Sequence, residues 1–365
     1  MELEFTEEQE ELRAGVRTFL ERECPMTLVR SVAEKGVPPD ELWAQMVDLG
    51  WPALTVPEAC GGLGLGFIEL VVVVEELGRA VAPGPFLATV TQFVPALREA
   101  GTPGQQHRFL SAVAAGSLTG TLAAGEGVAA RRTGDRWVLD GRARHVLDGD
   151  RADELVVAAG VEGGVGLFVV PGDAVRATPV EVLDATRPIA TVELDAVTVE
   201  DDRALGTPGR SQAVLDRVLE EAAVALATET VGTCQSIFDL ALGHAQERHQ
   251  FGVPIGSFQA VKHKFADMLV ALERARVTCY FAALTIAEED AGRSLAASVA
   301  KSAAGDAQRL IVEEGIQILG GIGYTWEHDM QLHAKRAKTG DALLGTAADH
   351  RSRVADALGL VPPPS

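Results

Sequence analysis

The chain has 365 residues, enough to bury a large core and to form two or three domains. Hydrophobic residues make up 47% of it, yet no apolar run approaches the ~18 residues a membrane helix needs, so no span is expected. A formal charge of −20 argues against nucleic acid as a partner and obliges any polyanionic ligand to find local positive charge.

The opening Met1-Glu2-Leu3-Glu4-Phe5 is acidic where a secretion signal is basic and then apolar, which points to the cytoplasm. From Thr6 to about Ala115 the pattern is mainly helical. Leu12, Val16 and Phe19-Leu20, then Leu42, Met46 and Leu49, then Leu70, Val73-Val74 and Leu77 recur at helical spacing. Pro57 and Gly61-Gly62-Leu63-Gly64-Leu65-Gly66 interrupt it as a loop. These glycines do not follow a strand in a βαβ unit, as a dinucleotide fingerprint requires, so they read as a tight turn.

Between about Gly116 and Pro208 short β-type segments alternate with turn residues. Trp137-Val138-Leu139 leads into Asp140-Gly141, a hairpin signal. Leu155-Val156-Val157, Gly166 to Val170 and Thr191 to Leu194 read as further strands, and the lack of intervening helices suggests an antiparallel barrel or sandwich. Arg131, Arg132, Arg136, Arg142 and Arg144 form the densest positive cluster, read as a solvated strand face rather than a ligand site.

From Ser211 onward the helical period returns, through Leu215, Val218-Leu219, Leu226, Ile237 and Leu240 to Arg248. That run predicts one helix about 50 Å long. Segments at about 258–288, 293–319 and 327–358 complete a four-helix pattern, which should pack as an antiparallel bundle and invite association between bundles. Pro362-Pro363-Pro364-Ser365 reads as a loose tail. The fold class is therefore α+β: an N-terminal helical domain (1–116), a middle antiparallel β domain (117–209) and a C-terminal four-helix bundle (210–360).

Cys24, Cys60, Cys234 and Cys279 are scattered without a Cys-x-x-Cys pair and read as small buried apolar residues. The histidines include no metal-binding spacing beside a carboxylate, so no metal is expected. The most informative stretch is Arg248-His249-Gln250-Phe251-Gly252-Val253-Pro254-Ile255, followed by Phe258-Gln259. It places a cation, amides and an aromatic at the corner between two long helices. A guanidinium offers planar, bidentate hydrogen bonds to pyrophosphate, and Phe251 offers a face to a flat ring.

That corner, together with Gln317-Ile318-Leu319-Gly320-Gly321-Ile322-Gly323-Tyr324-Thr325-Trp326-Glu327, resembles the acyl-CoA dehydrogenase family. Phe5-Thr6-Glu7-Glu8-Gln9, Leu49-Gly50-Trp51, Glu75-Glu76-Leu77-Gly78 and Pro83-Gly84-Pro85-Phe86 are similar to its N-terminal domain, so the likeness spans nearly the whole chain. The resemblance implies α,β-dehydrogenation of an acyl-CoA thioester with FAD, and an electron-transfer flavoprotein or similar acceptor. In the family the dinucleotide end of each FAD is held by a neighbouring subunit. The matching residues here are Arg248, Gln250, Phe251, Gly252, Gln259, Gln317, Gly320, Gly321 and Gly323.

The other half of the family's site departs from its pattern. A Thr-Glu-Pro element followed by Gly-Ser-Asp becomes Leu122-Ala123-Ala124-Gly125-Glu126-Gly127-Val128, and a further flavin-lining segment becomes His145-Val146-Leu147-Asp148. The usual catalytic glutamate before Gly-Thr becomes Leu344. The alternative base position, ten residues before the glycine matching Gly232, is Ala222, with Glu221 beside it and Glu229 one turn before Gly232. The resemblance thus implies a subunit that completes the flavin site of a paralogous acyl-CoA dehydrogenase chain, as in the heterotetramers of actinobacteria. A homotetrameric dehydrogenase with a displaced base such as Glu221, and a silent scaffold without flavin, stay open as alternatives.

Overall fold

The computed structural model describes residues 5–125 and 127–360. Glu126, the first four residues and the proline-rich tail lie outside the described residues. The chain runs through helices α1 (Glu7–Glu23), α2 (Met26–Lys35), α3 (Asp40–Asp48), α4 (Phe67–Arg79), α5 (Phe86–Ala88), α6 (Val94–Ala100) and α7 (Pro103–Ala114). Strands β1 (Gly120–Ala123), β2 (Val128–Thr133), β3 (Arg136–Leu147), β4 (Glu154–Val161), β5 (Gly164–Pro171), β6 (Arg176–Pro179), β7 (Ile189–Glu200) and β8 (Ala204–Leu205) follow. The last part holds α8 (Gln212–Glu247), the short strands β9 (His249–Gln250) and β10 (Val253–Pro254), then α9 (Gln259–Ala287), α10 (Arg293–Leu319), α11 (Met330–Ala342) and α12 (Ala347–Ala357). No helix among the described residues is long and apolar enough to cross a membrane.

Packing divides these elements into two compact units. One comprises residues up to Ser31, Phe67–Ala82 and everything from Ala223; the other comprises Val32–Gly66 and Pro83–Ala222.

The second unit is built on one eight-stranded sheet of order β6-β7-β3-β2-β4-β5-β8, with β1 also paired to β4. Its central strands β4 and β5 are apolar on both faces because each face meets a separate core. Val156, Ala158, Leu167 and Val169 pack against Phe93, Leu97, Phe109 and Leu110 of the helical segments. Leu155, Val157, Phe168 and Val170 pack against Trp137, Leu139, Val192 and Val199 of the other strands. The sheet is mainly antiparallel, but β1 and β2 both run parallel to β4, which side-chain alternation does not signal.

The hairpin expected at Asp140-Gly141 is a correction: β3 passes straight through it, with only a register shift between Leu139 and Gly141. The glycine serves close approach, since a Cβ there would lie 2.0 Å from the Gly127 carbonyl oxygen. The actual β2–β3 turn is at Gly134, where φ is +66°.

In the first unit the N-terminal Thr6 and Gln9 form a capping box, each side chain bonding the other's backbone NH, which explains that opening in physical terms. Helices α4 and α8 cross at backbone contact. A Cβ on Gly78 would fall 2.1 Å from the Glu229 carbonyl oxygen, and one on Gly232 would fall 1.9 Å from that of Glu75. Thr233 Oγ1 donates to the Gly78 carbonyl at 2.9 Å, adding a bond at the crossing. The fourth helical segment, expected as one run, divides into α11 and α12. Gly345 at φ +98° and a Thr346–Asp349 capping box end one helix and start the next.

Candidate functional site

The Arg248 corner is a two-residue hairpin. Gln250 pairs with Val253 and His249 with Pro254, leaving Phe251 and Gly252 as the turn. Their φ values are +55° and +83°, the left-handed pair that a primed turn requires. Glycine adopts this freely; a phenylalanine there is strained. Ile255 NH donates to the Arg248 carbonyl at 2.7 Å and closes the base of the hairpin. Phe251 is 93% exposed, touching Phe258 edge-on at 6.2 Å between ring centroids. Arg248, Gln250, Gly252 and Gln259 are exposed as well.

The second segment ends α10. Gln317 and Gly321 are exposed and Gly320 is half-buried. Gly320 has φ +65°, and a Cβ on either Gly320 or Gly321 would meet open space. Gly323 differs: it is buried, and a Cβ there would press on Leu319 at 3.0 Å and the Ile316 carbonyl at 3.2 Å. Gly320 and Gly321 thus leave backbone accessible to a ligand, whereas Gly323 is required by packing. A guanidinium, three exposed amide side chains, an outward aromatic and open glycines fit the dinucleotide half of a flavin cofactor.

In the other unit, the loop after β1 departs from a flavin-lining element in backbone as well as side chain. Gly125 and Gly127 have φ +150° and +126°, and the second value is closed to the proline the resemblance expects there. His145 is an exposed residue at φ +57° in a bulge of β3, and Asp148 is buried at φ +52°. The Asp148 NH donates to the Pro188 carbonyl at 2.9 Å, fixing this stretch by its backbone. The arginine cluster is largely cross-strand paired: Arg132 with Asp201 at 3.1 Å, Arg136 with Glu200 at 3.0 Å, and Arg142 with Glu193, which Arg176 shares. That is the geometry of a solvated strand face.

The base positions are closed in three different ways. Leu344 sits in the α11–α12 turn at φ +59°. Buried Lys301 clamps that turn from α10, donating to the carbonyls of Asp341 at 2.9 Å and Gly345 at 2.8 Å. His350 Nε2 lies 3.0 Å from the Leu344 carbonyl oxygen, and Asp341 Oδ1 accepts from Ala347 NH at 3.0 Å. Burial pulls the Lys301 ammonium down to about 8, opposed by Asp341. Glu221 is 2% exposed and takes Arg98 Nη2 on both oxygens, at 2.7 and 2.9 Å. Glu229 is buried in an ion pair with Arg336 at 2.9 Å, and Arg336 also donates to the Ala82 carbonyl.

Neither carboxylate stands free to take a proton from a substrate. Sequence reading missed the strain at Phe251 and the Lys301 clamp. The first has a faint signal in Phe251-Gly252 between His249-Gln250 and Val253-Pro254, and the second has none. Among the described residues no cluster of side chains could hold a metal ion. All four cysteines are buried, and burial pushes the thiols of Cys24 and Cys279 up to about 12.

Comparison with known proteins identifies a family. The N-terminal domain of acyl-CoA dehydrogenases matches residues 6–117 and the C-terminal domain of the same family matches residues 212–359. The acyl-CoA dehydrogenase IpdE2 of Mycolicibacterium smegmatis is 32% identical over 96% of this chain and 98% of its own length. A solved steroid acyl-CoA dehydrogenase, Tcur3481-Tcur3483, is 31% identical with a TM-score of 0.88, covering 97% of this chain and 98% of its own. The ChsE4-ChsE5 complex of Mycobacterium tuberculosis contains a chain 25% identical with a TM-score of 0.92, each chain covered over 100%.

Proposed function

Because this chain belongs to the acyl-CoA dehydrogenase family, we propose that it is the base-lacking subunit of a heteromeric, FAD-dependent acyl-CoA dehydrogenase of lipid metabolism. It completes the FAD site of a paralogous subunit in an α₂β₂ assembly that passes electrons to an electron-transfer flavoprotein or similar acceptor. Two of the similar solved proteins, ChsE4-ChsE5 and Tcur3481-Tcur3483, bear paired names. The division into residues 1–116, 117–209 and 210–360 belongs to the same reading.

The observation that carries the proposal is an asymmetry. The groups suited to a dinucleotide (Arg248, Gln250, Phe251, Gln259, Gln317 and the open glycines) all face solvent. The position for the base holds Leu344, and the two fallback carboxylates are bound to Arg98 and Arg336. A positioned base contributes about 10²–10⁴ in rate, so its loss leaves a chain without competent chemistry of its own.

FAD supplies the hydride acceptor for the reaction. Arg248 would hold its pyrophosphate through charge-assisted hydrogen bonds, and Gln250, Gln259 and Gln317 would supply neutral ones. Gly320 and Gly321 let backbone come close. The α-proton is removed by a carboxylate of the partner, and this chain contributes binding and orientation.

The test is reconstitution. Alone, the chain should not oxidise an acyl-CoA thioester; mixed with the paralogue it should, and Glu221→Gln in this chain should leave that rate unchanged. Activity of the chain alone, abolished by Glu221→Gln, would instead favour the homotetramer with a displaced base.

A further inference from the structure

Helix α9 buries Met268, Leu272, Ala275, Cys279 and Ala282 on its inner side, and a surface helix of that kind is ordinarily polar on its outer side. This one is not. Val270 is 70% exposed and Val277 54%, and Ala266 and Phe281 are exposed on the same face, one or two turns further out. Single apolar side chains on a surface are ordinary, but a continuous stripe along one helix marks a packing surface. At the middle of the stripe stand two adjacent charges of opposite sign. Arg274 is exposed, and Glu273, though bound by Arg276 one turn on, keeps its side chain 49% exposed.

The order of these residues says what packs there. Counted outward from the midpoint between Glu273 and Arg274, Val270 and Val277 lie equally far on either side, and so do Ala266 and Phe281. A second copy laid antiparallel across the face therefore sets valine on valine, the small Ala266 under the large Phe281, and Glu273 against Arg274. That is the self-complementarity a two-fold contact requires. A parallel pairing would instead bring each charge onto its own copy, which is repulsive. We propose that α9 is the surface through which two copies of this chain join, antiparallel about a two-fold axis between Glu273 and Arg274. This goes beyond the flavin reading above and does not depend on it; in an α₂β₂ assembly it places the two like chains against each other. Helices packed ridge into groove cross at an angle, so their ends diverge. Gln259 lies about 22 Å along the helix from the axis at the usual rise, and so stays open to the partner's cofactor.

The experiment uses the full chain, alone and with its paralogue. Sedimentation of the wild-type chain should show a dimer at micromolar concentration. Val270→Glu should weaken it roughly 100-fold, because each dimer would then bury two unpaired carboxylates. Register is read by disulfide trapping, for which all four native cysteines are buried. Chains carrying Val270→Cys, mixed with chains carrying Val277→Cys, should cross-link on oxidation. Either variant by itself should not, since each site would lie about 10 Å along the axis from its own copy, beyond disulfide reach. A wild-type chain that sediments as a monomer overturns the proposal. So does a dimer indifferent to Val270→Glu, or one in which Val270→Cys links to itself. If Val270→Glu separates this chain from the paralogue and not from its own copy, the paralogue covers the face and the proposal is wrong. None of these readouts measures flavin, so their failure leaves the flavin reading standing.

Discussion

Two turns in the same compact unit each force a bulky residue into the left-handed region, and they are otherwise opposites. At the α8–α9 corner Phe251 sits at φ +55° on a hairpin tip, 93% exposed. Between α11 and α12 Leu344 sits at φ +59°, with Lys301, His350 and Asp341 bonded into the turn. Backbone strain of this kind costs about 1–3 kcal/mol and persists only where the surroundings over-determine it. At Leu344 the surroundings are interior hydrogen bonds, so the strain belongs to the fold. At Phe251 little of the protein encloses the ring, which is 93% exposed, so the strain is held by the hairpin itself. One turn is locked from inside the fold and the other stands open to solvent, and on the proposed function the open one is where a ligand would bind.

Interior substitutions should therefore cost folding, and corner substitutions should cost only binding. The largest effect is expected at Glu229. Replacing it by Ala leaves Arg336 buried without its carboxylate, which should lower unfolding free energy by about 3–5 kcal/mol in urea titration. Gly232→Ala comes next: its Cβ cannot fit 1.9 Å from the Glu75 carbonyl oxygen, and forcing α4 and α8 apart should cost about 1–3 kcal/mol in the same assay. Leu344→Gly should be more stable than Leu344→Ala by about 1 kcal/mol, because only glycine removes the left-handed penalty. If the two variants unfold together, the turn is not strained and the contrast with Phe251 dissolves.

A pH test sharpens the same point. Lys301 has a folded-state value of about 8 against an ordinary 10.5, so the folded chain holds this proton less tightly than the unfolded chain. The cost of burying the ammonium is fully present below pH 8 and is relieved as pH rises towards 10.5. Wild type should gain stability relative to Lys301→Met across that window, followed by thermal unfolding at several pH values. Corner substitutions should cost folding nothing. Arg248→Ala should stay within about 0.5 kcal/mol of wild type, as exposed positions do, and Phe251→Gly, which removes the left-handed penalty at φ +55°, should gain about 1 kcal/mol. Both should nonetheless lower the flavin content of the assembled complex.

Much of this was legible in the sequence, for identifiable reasons. The long helices announce themselves by period, and Thr6 with Gln9 announces a helix start, because both signals are local. Gly141 misled because the same residue type serves a turn and a close strand approach, and only the neighbour at Gly127 decides between them. The break at 343–346 was hidden inside a continuous helical pattern, since Lys301, which stabilises it, lies some 40 residues earlier in the chain. The pairing of Glu221 with Arg98 and of Glu229 with Arg336 is likewise a tertiary fact. The motif at Arg248 marked a corner between two long helices, where the hairpin lies, but not its conformation, and conformation is what separates a presented Phe251 from a buried one.

Where flavin is found decides whether this chain needs a partner. The chain purified by itself and the chain co-purified with its paralogue should be compared by visible absorbance and by flavin released per chain. The expected result is essentially colourless protein alone and a stable yellow complex with the partner. Yellow protein from this chain alone, bleached by an acyl-CoA thioester without any partner, would contradict it.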